Sequence, residues 1–178
     1  MNYYSGIGSR ETPEHILNIM HHIGAYLANQ GWTLRSGAAS GADASFEEGA
    51  NHEDGATEIY LPWEGFNFSK SPLHPKTYPF SDEEKAFAAQ YHPNWKKCSP
   101  SARLLHQRNT RQLIGLEAIH GEEVVVSKFV VCWTEGGALK GGTAQALRIA
   151  TAINIPIINL GAAETAQELE ALVLKVDE

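Results

Sequence analysis

Apolar residues along this chain follow two alternating patterns: short continuous runs, and stripes with a spacing of three and four. Tyr3 to Ile7 is a short apolar and aromatic run that predicts a strand. Ile16, Ile19, Met20, Ile23 and Leu27 then form one helical stripe, so an amphipathic helix is expected over 13–30. Thr12 is its expected N-cap, Pro13 takes the first helical position, and Gly31 closes it. Trp32 to Arg35 predicts a second strand, and the small residues from Ser36 to Asp43 lead into a helix through Ala50. Thr57 to Leu61 is rich in β-formers and ends at Pro62, giving a third strand.

Pro72, Pro75 and Pro79 among scattered aromatics make 62–80 an irregular loop, the expected place for a lid. Ser81-Asp82-Glu83-Glu84 is a capping box for a helix running to Tyr91, which Pro93 stops. Leu104, Leu105, Leu113, Ile114 and Leu116 predict a helix from Ser101 to about Glu117, with Arg103, Arg108 and Arg111 interleaved. Phe129 to Trp133 reads as a strand buried on both faces. A glycine-rich turn, Thr134 to Thr143, follows it and opens a helix from Thr143 to Ala152. Ile155 to Leu160 is the last strand, and Thr165 to Glu168 caps a final helix with Leu169, Leu172, Val173 and Val176 as its stripe.

Alternating strands and helices imply an α/β fold, a mostly parallel sheet with helices on both faces. The 178 residues suit a single domain over 1–178 that buries roughly 70% of its unfolded surface. No apolar run approaches the roughly 20 residues of a membrane span, and the first residues lack a signal-peptide pattern. Two cysteines without CxxC spacing suit a reducing cytoplasm, a host's cytoplasm if the chain is phage-encoded. A net charge of −7 argues against a protein devoted to neutralising nucleic-acid phosphates.

The chemistry is concentrated in three glycine-rich turns that leave strand ends and enter helices: Gly6 to Arg10, Gly37 to Asp43 and Gly136 to Thr143. In an open α/β sheet ligands bind at those carboxyl ends, and the free N–H groups of a first helical turn favour an anion such as phosphate. None of the turns is a Walker loop, since Lys140 stands before Gly141-Gly142-Thr143, and there is no GxGxxG. Arg10 is placed to reach an anion in the first turn, whereas a lone turn arginine is more often solvated. Asp43 either complements a helix dipole or serves as a ribose ligand or acid–base group. Among the carboxylates near the turns, Asp43, Glu47, Glu64 and Glu135, no spacing singles one out, and no GxSxG elbow marks a nucleophile.

Arg103, His106, Arg108, Asn109 and Arg111 are the densest basic cluster, and such helix faces are usually solvated. Eight histidines show no HExxH or other familiar metal spacing, so no structural metal and no cofactor are expected. Trp63 and Trp133 read as packing residues.

Gly6-Ile7-Gly8-Ser9-Arg10, Ser36 to Asp43, Arg108-Asn109 and Gly141-Gly142-Thr143 together resemble the SLOG superfamily, with its DprA-like and LOG-like (lysine decarboxylase-like) branches. The resemblance implies a Rossmann-like sheet that binds a nucleotide or nucleotide-derived ligand. It implies that Gly8, Ser9 and Arg10 line one ligand edge, and Gly37, Ser40, Gly41 and Asp43 a second. Gly141, Gly142 and Thr143 would hold phosphate, with Arg108 and Asn109 pointing into the same cleft. Homo-oligomerisation is also implied by the resemblance. The chain departs from the LOG pattern, whose catalytic Glu follows the glycine turn, because Ala144, Gln145 and Ala146 follow Thr143 here.

Three readings follow. The first is a protein holding a phosphorylated nucleotide or its derivative at the turns. The second is an N-glycosidic hydrolase or transferase in which Asp43, Glu135 or Glu64 replaces the absent Glu. The third is a DprA-like module binding single-stranded DNA through Lys96, Lys97, Arg103, Arg108 and Arg111.

Overall fold

In the computed structural model, which describes residues 1–121 and 124–162, five strands form one parallel sheet. The chain runs β1 (Asn2–Gly6), α1 (Glu14–Asn29), β2 (Trp32–Ser36), α2 (Ala42–His52) and β3 (Thr57–Ile59). It continues with α3 (Asp82–Gln90), α4 (Pro100–Ile114), α5 (Glu117–His120), β4 (Val130–Cys132), α6 (Gly141–Ala152) and β5 (Ile157–Asn159). The strand order is β3-β2-β1-β4-β5. The α/β reading is therefore correct, with every pairing parallel. The final helix expected from Thr165 lies outside the described residues.

Helices cover both faces because strand residues alternate between them. On one face Ile16, Met20 and Leu27 of α1 and Phe46 and Ala50 of α2 pack on Tyr4, Leu34, Ile59 and Val131. On the other, Leu113 of α4 and Leu147 and Ile149 of α6 pack on Ile7, Val130 and Cys132. Ile19, counted in the α1 stripe, is instead exposed, since the seam follows 16, 20, 23 and 27. Among the described residues no helix is long and apolar enough to cross a membrane.

Local chemistry moves several boundaries. Pro13, not Thr12, occupies the cap of α1, because the Thr12 hydroxyl donates to Ser9 O at 2.6 Å. β3 stops at Ile59, and the Leu61 N–H turns to Leu73 O at 2.9 Å. Gly115, at φ +81°, ends α4 three residues earlier than its apolar spacing suggests. Gly141 and Gly142 belong to the first turn of α6 rather than to the loop before it.

The loop over 62–80 is pinned at several points. Ser71 Oγ donates to Ile59 O, and Arg111 donates to the carbonyls of Tyr78 and Pro79 at 2.8 and 3.0 Å. Arg111 is 1% exposed and pairs with Glu84, so it is an interior clamp and not a solvated helix-face cation. Glu84 also completes the expected capping box with Ser81, accepting the Ser81 N–H while Ser81 Oγ accepts from Glu84 N at 3.0 Å. Ser81→Ala is expected to lower stability by about 1 kcal/mol. Calorimetry reads this directly, and Glu84→Ala should cost more because it also strips Arg111 of its carboxylate.

Candidate functional site

The strand order reverses between β1 and β4, which places the sheet's switch-point crevice beyond their carboxyl ends. The turns after β1 and β4 flank that crevice, and the turn after β2 adjoins the first. Gly8 seals the β1 side: a Cβ there would come within 2.7 Å of Ala42 Cβ and 3.4 Å of Trp133 N. Gly41, at φ +86°, backs onto the first turn, where a Cβ would lie 2.9 Å from Ser9 O. Ser9 O accepts from Thr12 N at 3.3 Å and from Ala42 N at 3.5 Å, joining the first turn to the start of α2. Ser36 Oγ donates to Gly6 O at 2.6 Å, tying the two strand ends.

Asp43 lies at the centre of this junction, 3% exposed. Its carboxylate accepts from Ala39 N at 3.2 Å, and the N–H groups of Gly37 and Gly8 also bond to it. Burial pushes its pKa up to about 6 despite these bonds and the nearby Arg108 guanidinium. A raised native pKa makes its contribution to stability fully present below the unfolded pKa near 3.8 and lost as pH rises through about 6. The difference is worth roughly 3 kcal/mol. Asp43→Asn is expected to flatten the stability profile between pH 4 and pH 7, as denaturation midpoints across that range will register.

Arg108 is 5% exposed, and no carboxylate among the described residues comes within ion-pair distance of it. It donates to Gly37 O and, at 3.4 Å, to Tyr60 O, and its guanidinium lies 5.5 Å from the Phe66 ring. Its charge therefore holds the second turn in place from below. Asn109 donates to Gln145 Oε1 at 3.0 Å, and Gln145 donates to Ala88 O at 3.1 Å, linking α4, α6 and α3.

The remaining predicted site residues sit at the rim. Arg10 is exposed, and its guanidinium makes no hydrogen bond or ion pair among the described residues. Ser40 is exposed, and Ser9 Oγ accepts from Glu11 N at 3.0 Å. Gly141 and Gly142 are exposed with open space where a Cβ would stand, and Thr143 is half-buried beside them. No side chain caps α6, so its leading N–H groups are available to an anion. Glu135 is exposed, 3.7 Å from Lys140, and Glu64 is exposed and paired with Lys76 at 2.8 Å. Glu47 is half-buried, with its pKa raised by burial and by Asp43 and Glu48.

The aromatics of the 62–80 loop, of which the sequence singles out Trp63 as a packing residue, adjoin the second glycine turn. Asn67 Nδ2 donates to Ala38 O at 3.0 Å, so the 66–68 turn is fastened to the second glycine turn. There Phe68 is 97% exposed, and Trp63 meets Phe66 edge-on at 5.1 Å. A cavity of about 420 Å³ lies elsewhere, lined by Phe87, Thr110, Ile114, Leu116 and Val125 among others, and none of the turn residues borders it. The crevice, not this cavity, carries the uncapped helix terminus and the free arginine.

No protein-family model matches this sequence, and no curated protein does. Among solved structures, the Moco carrier protein of Chlamydomonas reinhardtii is similar at a TM-score of 0.55 and 18% identity, over 97% of this chain and 83% of that one. DNA processing protein A from Helicobacter pylori, which binds single-stranded DNA, is similar at 0.52 and 16% identity, over 96% of this chain and 72% of that one. What these likenesses establish is a shared Rossmann-like α/β fold.

Proposed function

We propose that this chain is a SLOG-type protein that holds a phosphorylated nucleotide or nucleotide-derived small molecule in the crevice between β1 and β4. The observation that carries the reading is the junction of the first two turns and the end of β4 at the switch point, followed by the uncapped, open terminus of α6. In this reading the N–H groups at Gly141, Gly142 and Thr143 receive the phosphate, and Arg10 supplies the charge. Gly8, Ser9, Gly37, Ser40 and Gly41 bring backbone close to the ligand, while Asp43, Arg108 and Asn109 position the turns from beneath. The exposed aromatics of 63–68 offer a face on which a base stacks. A molybdenum cofactor carrier and a single-stranded DNA binder sharing the fold support small-molecule or nucleotide-related binding.

Binding is favoured over catalysis because Asp43 spends its carboxylate on backbone N–H groups, while Glu135 and Glu64 lie exposed beside lysines. A DNA-binding surface would lose two of its five cations, since Arg108 and Arg111 are buried. A thermal-shift panel of nucleoside monophosphates, nicotinamide dinucleotides and ADP-ribose tests the reading. A compound that raises the melting temperature of the native protein should lose most of that shift in Arg10→Ala, with the unliganded melting temperature unchanged. A panel without any shift, or one that Arg10→Ala leaves intact, contradicts the assignment.

A further inference from the structure

Away from the glycine turns, the segment after α3 folds back on α4 and gathers His92, Cys98 and His106, a spacing His-x5-Cys-x7-His that matches no familiar metal motif. Pro93 stops α3, a short turn at Trp95–Lys97 reverses the chain, and Ser99 caps α4 by accepting from Ala102 N at 3.2 Å. His106 is on the second turn of α4, so the reversal brings it opposite His92 and Cys98. One nitrogen from each imidazole and the thiol sulfur all lie within 4.8 Å of one another. Cys98 Sγ is 3.6 and 3.7 Å from the two His92 nitrogens, and the imidazole centroids are 4.5 Å apart.

We infer that His92, Cys98 and His106 form a mononuclear site for a divalent cation of the zinc class. Zn–S near 2.3 Å and Zn–N near 2.1 Å at tetrahedral angles place sulfur and nitrogen about 3.6 Å apart, and Cys98 Sγ lies 3.7 Å from His92 Nδ1. One thiolate and two imidazoles with no oxygen ligand suit zinc or its neighbours and reject magnesium and calcium. His106 supplies an independent sign: its Nδ1 is buried and has no hydrogen-bond partner. Its ring also bonds to Gln145, which Asn109 and Ala88 O hold in turn, the kind of support that orients a metal-binding imidazole. At His92 the ion replaces the Asn94 N–H, which donates to Nδ1 at 3.1 Å. Trp95, with its ring 6.2 Å from both imidazoles, flanks the site. Three protein ligands leave a fourth position for water or an exchangeable anion. A bound ion clamps the 92–98 reversal to α4 two residues ahead of Arg108. The inference is independent of what the glycine turns bind.

The experiment titrates the chelator-stripped full chain with cobalt(II), anaerobically and with a phosphine reductant. The expected result is one equivalent bound, with tetrahedral ligand-field bands and a thiolate-to-cobalt charge-transfer band, all displaced by zinc. Cys98→Ser should abolish the charge-transfer band, and Cys98→Ser and His106→Gln should each weaken binding by about tenfold or more. His52→Gln, in the separate surface cluster with His21, should change nothing. Zinc should also slow alkylation of Cys98 in the wild-type protein, a readout that needs no variant because Cys132 is buried. Overturning results are octahedral cobalt spectra, binding that survives Cys98→Ser but not His52→Gln, or an alkylation rate indifferent to zinc.

Discussion

Replacing Glu58 with alanine is expected to cost about 3–5 kcal/mol of folding stability, the penalty for stranding a buried charge. Arg35, the penultimate residue of β2, is 0% exposed and pairs with Glu58 at 2.9 Å. Glu58 also takes a bond from the Tyr60 hydroxyl and faces His120 Nε2 at 2.8 Å, while Arg35 donates to Val125 O and stacks 4.1 Å from the Tyr3 ring. Burial, with Glu58 beside it, raises the Tyr60 pKa, so its hydroxyl stays a donor. Removing the carboxylate leaves the buried guanidinium with the Val125 carbonyl and the Ser127 hydroxyl as neutral acceptors. Chemical denaturation measures the loss, and a double variant, Arg35→Met with Glu58→Leu, should recover most of it because apolar isosteres replace buried ion pairs at little cost. A single-variant loss below about 1 kcal/mol, the range of exposed pairs, would show that Arg35 reaches water.

Gly37→Ala carries the second large effect, on stability and ligand binding together. A Cβ at Gly37 would collide with Gln112 Nε2 and lie 2.5 Å from Arg108 Nη1, so the ends of two buried side chains must shift to admit it. Overpacking of this kind costs about 1–3 kcal/mol. Arg108 must also give up Gly37 O, so the turn that presents Ser40 and Gly41 shifts, and the ligand-induced thermal shift should disappear. Gly142→Ala is the matched control for stability, since nothing lies within 4 Å of a Cβ there. Equal stability losses in the two variants would contradict the packing described around Arg108.

The elements that could be read from sequence are those whose signals are local. The 16, 20, 23, 27 stripe, the Ser81–Glu84 box and the continuous run at β4 each declare themselves within one turn or strand. The three glycine turns were legible for the same reason, and the sheet order puts two of them at the switch point. The long-range partners were not. Arg108 and Arg111 look like ordinary cations on a helix face, yet one is spent on Gly37 and Tyr60 carbonyls and the other on Glu84, from 27 to 71 positions away along the chain. Arg35 is hidden in a four-residue strand pattern and finds Glu58 only through the β2–β3 register. His92, Cys98 and His106 follow no familiar spacing because a reversal, not a helix or a CxxC knuckle, brings them together. Asp43 was visible as a candidate, but its burial and its bonds to two turns depend on the packed junction.

Residue-resolved amide chemical shifts, followed during titration with the panel nucleotide that gives the largest thermal shift, locate the bound ligand on the fold. The largest changes are expected at Gly8 to Arg10, Gly37 to Gly41 and Gly141 to Thr143, on three separate turns at once. Changes centred instead on Phe87, Ile114 and Leu116, around the other cavity, or spread without focus, would contradict binding in the crevice.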